Sequence, residues 1–547
     1  MGRPDCLLLT VVWIHSTWLP GAALGADDGT ASHTPQQVAR QIDRIIDKQL
    51  AAHNVPSSPL ADDAELLRRA SLDITGRIPA MKELDELLEV AATGRSTLID
   101  RLMTSADYGQ HFGTLWHNLI SGRETSMARP PDTRRLADWL TAAFNQNRPW
   151  NLMARHILTA QGSHGDNPAT IFFTLNGDSR GAPQPNVIAG STGQLFLGVQ
   201  LQCAECHDHP FSDWSQEDFW GVAAFFSRVE NSGNKGGAKR TITESPLESQ
   251  QQPAIVIPAA SFTNVGASVS ARLPFATESR PAVESGTRNS TPPTTPLLRE
   301  VFADWLTSPN NPFFARNLVN RLWAHFFGRG LVNPLNDFRQ ENPPSHPELL
   351  DLLSREFIAS GFDQQHLIRC ICQSRAYQRT SRPTPGNADD EVLFSHMSIK
   401  ILTPEMLLDS LSLAVGTEVL SPTRPPMDFR NPLLPLYSPR EQFVNLFRTL
   451  PKNGDPTEYT HGVPQRLVLM NEQLFNAQTP VVVRLINERV DAKNGIEHLY
   501  LASLSRLPTQ QESQDAKRFI AAATCLQEGL DGVLWTLLNR SEFILNH

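Results

Sequence analysis

Most of the signatures by which an enzyme class is read are missing from this chain. No Gly-rich phosphate loop, no H-E-x-x-H and no G-x-S-x-G occurs in its 547 residues. That excludes a P-loop, a zincin-type metalloprotease helix and a nucleophile elbow. Blocks of like charge are missing as well. The net charge of −9 is spread thinly, whereas phosphate binding needs a concentrated Lys/Arg surface, so nucleic acid is not an expected partner. Beyond Ala26 no stretch reaches the roughly 18–20 apolar residues that span a bilayer. No fixed-period repeat is present, which argues against a solenoid. Cysteine is scarce, six residues in all.

The N-terminus reads as an export signal. Arg3 supplies a short positive region, and "CLLLTVVWIHSTWLPGAALGA" an apolar run ending in small residues, with cleavage expected near Gly25 or Ala26. Residues 1–26 are therefore expected to be a signal peptide, and the mature protein to be periplasmic or extracellular. Cys6 precedes the apolar run and is no lipid-attachment cysteine. Its removal leaves Cys203, Cys206, Cys370, Cys372 and Cys525, an odd number for an oxidising compartment. Cys370 and Cys372 stand two apart in a helical pattern and point to different faces, so buried thiols are expected there.

With 40% hydrophobic and 19% charged residues the remainder is an ordinary globular composition, and its length suggests two domains. "QQVARQIDRIIDKQL" sets Val38, Ile42, Ile45, Ile46 and Leu50 on one helical stripe. "DDAELLRRASLDITGRIP" has Asp62 as a cap and stops at Gly76 and Pro79. Ser215/Asp218, Ser345/Glu348 and Thr509/Glu512 are spaced as capping boxes. Residues 36–230 are read as one helical domain. Residues 231–296, rich in Ser, Thr, Gly and Pro with β-leaning pieces "AIVIP" and "SVSARLPF", are read as a linker or small strand-bearing insert. Residues 297–547 are read as a second helical domain. The expected fold is mainly α.

One short stretch carries chemistry. "LQCAECHDHPF" (201–211) contains C-x-x-C-H, the spacing of c-type haem attachment. Cys203 and Cys206 would add to the two vinyl groups, and His207 would lie under the iron as its proximal ligand. No methionine lies between Met153 and Met397, so a distal ligand would come from His111, His117 or His156, or the iron would be five-coordinate. The alternative is zinc on Cys203, Cys206 and His207 or His209, with Asp208 or Asp213 as supporting partners. A Cys203–Cys206 disulfide pinning a helix end, with no cofactor, is the third reading.

The segments "LLRRASLDITGRIP", "LIDRLMTSADYG", "LGVQLQCAECHDHPFSDWSQEDFWGVAAFF", "FADWLTSPNNPFFARNLVNRLWAHFFGRGLV", "NPPSHPELLDLLSREF", "LIRCICQSRAYQ" and "GVPQRLVLMN" resemble a two-domain family abundant in planctomycete bacteria. Its halves are the domains of unknown function 1549, often labelled cytochrome-c-like, and 1553. The resemblance implies architecture and export, and no reaction. The Pro- and Ser/Thr-rich middle departs from the family pattern, which weakens any transfer of strand positions there.

The second half offers Arg321, His325, Arg329, Asp337 and His346, and Asp455, Glu458 and His461 in a Gly/Pro loop. Loop-borne His and Asp can build a hydrolytic or metal site, although Trp323, His325 and Phe326 on one helix also read as packing. Three functions therefore stand: an exported haem or metal protein with redox or envelope partners, a secreted hydrolase or carbohydrate-associated module, and a structural envelope protein.

Overall fold

A computed structural model describes residues 32–122, 133–208, 214–232, 241–245, 254–258, 263–274, 297–417, 439–447 and 478–547, with single positions at 462, 465, 467 and 470. The expected signal peptide, and with it Cys6, lies outside the described residues.

The protein is mainly α, with short helices joined by tight turns. The helix Pro35–Ala52 opens with a capping box between Thr34 and Gln37, and its apolar stripe, Val38 to Leu50, is buried. The helix Asp63–Thr75 is capped by Asp62, whose side chain accepts from the Glu65 N–H. It ends at Gly76 in the left-handed region, φ 72°, where a Cβ would also stand 2.3 Å from Nδ1 of His111. Both the backbone angle and the close approach demand glycine. The boxes at Ser215/Asp218 and Thr509/Glu512 form as the spacing predicts.

The Ser345/Glu348 box does not form. Pro347 sets the start of the helix Pro347–Ala359, so the cap position falls on His346 and the first turn carries no side-chain cap. The Ser345 N–H is spent on the Leu331 carbonyl at 2.7 Å, and Ser345 Oγ lies 3.1 Å from Nδ1 of His346.

Strands are few and short. Gly162–Ser163, Thr241–Glu244 and Val229–Asn231 make a three-stranded antiparallel sheet with Thr241–Glu244 in the centre. Ala254–Val256 pairs with Ser268–Ser270, so both β-leaning pieces of the middle segment are strands. Lys400–Ile401 pairs with Leu545–Asn546. Among the described residues no helix is long and apolar enough to cross a membrane.

The hydrophobic packing does not break at the middle segment. One core runs from Val38 to Met397, so the helices Leu298–Leu306, Phe314–Phe327, Pro347–Ala359 and Gln364–Cys372 share it with the N-terminal helices. A second core runs from Leu402 to Ile544 and draws in Leu72 and Ile78. The helix Asp63–Thr75 thus lies between the cores, giving Leu66, Leu67, Ala70 and Ile74 to the first and Leu72 to the second. Each Leu or Ile buried this completely contributes roughly 1.5–3 kcal/mol.

A helix buried on every side has no solvent for its charges, so each must find a partner. Arg69 donates to the carbonyls of Tyr377 (2.8 Å) and Arg379 (2.9 Å) and to Glu65 (2.6 Å). Arg68 reaches the carbonyls of Ser503 (2.9 Å) and Phe543 (3.0 Å). Burial pushes its guanidinium down to about 10. The middle segment is tied in similarly, by a buried ion pair of Arg299 with Glu244 at 2.7 Å.

Candidate cysteine turn

The cysteine motif is held by backbone geometry on one side and by a single buried amide on the other. The helix Pro185–Thr192 loosens into a π turn, Gly193–Leu197, and stops at Gly198 with φ 70°. A Cβ on Gly198 would stand 2.8 Å from Asn317 Oδ1. The π turn is gripped from the second half of the chain. Asn317 Nδ2 donates to the Leu195 carbonyl at 2.8 Å and Arg321 to that of Gln194 at 2.7 Å. Val199 then bridges to Asp337. The chain turns into a 3-10 segment, Leu201–Glu205, carrying Cys203 and leading to Cys206 and His207.

Gln216 fixes the other side. Its amide nitrogen donates to the carbonyls of Cys206 (3.0 Å), Thr263 (3.2 Å) and Glu205 (3.3 Å), and its oxygen accepts from Thr263 and Asn264. Trp220 Nε1 adds a bond to the Glu205 carbonyl at 3.0 Å. Asp208, expected to support a metal ligand, instead accepts from the Gln216 N–H at 2.8 Å, at the start of the helix Gln216–Ala224. Sequence reasoning missed Gln216. No local signal marks it, because its side-chain partners are loop carbonyls and residues 263–264, some 47 positions on.

The motif's side chains are left to solvent. Cys203 and His207 are exposed, Cys206 is half-buried, and both cysteines are free thiols rather than a disulfide. Nδ1 of His207 lies 2.7 Å from the Asp208 carbonyl. A carbonyl only accepts, so Nδ1 carries a proton, and in the neutral ring the lone pair is then on Nε2. His209 and Asp213 lie outside the described residues. Among the described residues no three His, Cys, Asp or Glu side chains are grouped for a metal ion.

The proposed distal histidines have other contacts. His111 packs against the rings of Phe112 and His325, and burial with His325 alongside pushes it down to about 3. His117 lies 3.2 Å from Ser121 Oγ. His156 stacks on Trp139 and meets Asn167 at 3.1 Å.

The second-half candidates divide. Arg321 and Asp337 hold the loop that leads into the cysteine turn, and Asp337 also pairs with Arg339 at 2.9 Å. His325 donates from Nε2 to the Asp73 carbonyl at 2.7 Å. Burial pushes it down to about 4. His346 is buried against Phe394 and is also pushed down to about 4 by burial. Arg329 is half-buried. Asp455, Glu458 and His461 lie outside the described residues.

This architecture, a cysteine turn in the first half gripped by helices of the second, defines a mainly α protein of two consecutive domains. Residues 41–231 match the family described as protein of unknown function DUF1549 (PSCyt2). Residues 298–520 match the family described as protein of unknown function DUF1553 (PSD1), so the chain has the two-domain arrangement of DUF1549 followed by DUF1553. No curated protein and no solved structure matches it.

Proposed function

We propose that the protein is exported and carries covalent haem c on the cysteine turn, in a redox or ligand-binding role. The observation that carries this reading is the His207 ring, whose Nδ1–H is committed to the Asp208 carbonyl beside two free thiols at C-x-x-C spacing. The donor set fits the group: Cys203 and Cys206 would hold the porphyrin edge, and His207 Nε2 would face the iron. Haem bound there would supply one-electron chemistry or an open coordination position. The chain's own part is positional. Gln216 and Trp220 fix the carbonyls of Glu205 and Cys206, so the thiols are presented from a rigid turn at the surface. The apolar N-terminal run supports export, and c-type attachment takes place outside the cytoplasm.

The test is expression with export in a host that has a c-type maturation system, followed by haem staining after denaturing electrophoresis. Thioether-bound haem stays on the polypeptide. Cys203→Ala should leave at most one thioether, and His207→Ala should change the absorption spectrum while retaining attachment. A colourless protein with stoichiometric zinc overturns haem in favour of Cys/His metal binding. A colourless, metal-free protein with Cys203 linked to Cys206 overturns both.

A further inference from the structure

Lys400 and Asn546 face each other across the antiparallel pair Lys400–Ile401 and Leu545–Asn546. Cross-strand partners project from the same face of a sheet, with their Cβ atoms about 4.5–5.5 Å apart. Here that face is turned to the interior: Asn546 is 1% exposed and the Asp73 side chain 2%. Oδ1 of Asp73 accepts from Lys400 Nζ at 2.5 Å and from Asn546 Nδ2 at 2.7 Å. Its Oδ2 accepts from Tyr377 Oη at 2.9 Å. One carboxylate oxygen therefore touches both an amine and a carboxamide in a largely buried site, with the Lys400 side chain 17% exposed. Oδ1 of Asn546 is buried without a hydrogen-bond partner.

We propose that Lys400 and Asn546 become joined by an intramolecular isopeptide bond, with Asp73 as the proton carrier. One proton passes from the Lys400 ammonium to Asp73, freeing the Nζ lone pair to attack Cγ of Asn546. As the Cγ–Nζ bond forms, a second proton leaves Nζ and reaches Nδ2 through the same carboxyl group. The Cγ–Nδ2 bond breaks and ammonia departs, leaving a secondary amide and a protonated Asp73. Atoms and charge balance, and no co-reactant is required. Burial favours the first transfer, because it lowers the Lys400 ammonium from its ordinary value against the opposing pull of Asp73. The reaction also removes a buried charge pair, which is costly to keep out of water.

The competing arrangement is an unreacted ammonium, since Nζ also reaches the carbonyls of His325 (2.8 Å) and Phe326 (2.9 Å). Peptide mass spectrometry of the purified full chain decides between them, independently of any haem. Trypsin should fail to cut after Lys400, and Ser541–His547 should appear attached to the Lys400 peptide, about 17 Da below the summed masses, one ammonia. Asn546→Ala, Asp73→Asn and Lys400→Arg should each return separate peptides. Wild-type protein that releases Ser541–His547 alone and is cut at Lys400 overturns the proposal, whatever the variants do.

Discussion

The helix Asp63–Thr75 and the turn Leu201–His207 are both dense in polar residues, and they use them in opposite ways. In the helix the side chains are committed: Arg68, Arg69 and Asp73 bind groups at residues 377–379, 400, 503 and 543–547. In the turn Gln216 holds the backbone and Asn186 the Glu205 carboxylate, while the thiols and the Nε2 side of His207 stay open. The first pattern welds two cores together. The second presents thiols and an imidazole to solvent on a braced turn. A charged residue in this protein is thus no pointer to chemistry until its burial is known, whereas a solvent-facing Cys/His set on a braced turn is one.

Asp73→Ala should break the welded side of the comparison most severely. It removes the carboxylate that pairs with Lys400 and accepts from the Tyr377 hydroxyl, and removing one partner of a buried pair costs about 3–5 kcal/mol. Chemical denaturation should show the loss as a lower midpoint, and an unchanged midpoint would mean that the junction does not bear on stability. Gln216→Met keeps the side chain's bulk and removes its amide, so the Thr263 carbonyl and the Asn264 amide lose their Gln216 partner while the Thr263 hydroxyl keeps the Cys206 carbonyl at 3.2 Å. The expected cost is about 2 kcal/mol, and faster hydrogen exchange is expected at residues 205–208, 214–216 and 263–264.

Acid should destabilise the interior through its buried histidines. His111, His325 and His346 are held neutral, at about 3, 4 and 4, against roughly 6.5 in an unfolded chain. Between those values the unfolded state binds more protons, so stability is full above pH ~6.5 and falls as pH drops toward ~4. The slope is about 1.4 kcal/mol per pH unit for each ring. His325→Gln should flatten a plot of unfolding free energy against pH by about one such slope. A parallel curve would contradict the assignment.

The smallest stability effect is expected at the turn itself. His207→Ala and Cys203→Ala change solvent-facing side chains and should each shift unfolding by no more than about 0.5 kcal/mol; under the proposed haem reading, Cys203→Ala would also lower haem attachment. A large stability loss from either would make the motif structural and erase the contrast.

The local order of this protein was legible in its sequence. The stripe from Val38 to Leu50, the caps at Asp62, Ser215 and Thr509, the stop at Gly76 and the strands at 254–256 and 268–270 follow from period, propensity and turn chemistry, which act within a few residues. The C-x-x-C-H spacing was visible for the same reason, since it is written along the chain. Tertiary structure alone decided that one core runs from Val38 to Met397 across the family boundary. It also placed Asp73 beside Lys400, Tyr377 and Asn546, residues separated by hundreds of positions, and sent His325 and Arg321, four apart on one helix, to different tasks. Those outcomes depend on which buried groups must satisfy one another once water is removed, and hydrophobic periodicity carries no record of a polar group's distant partner.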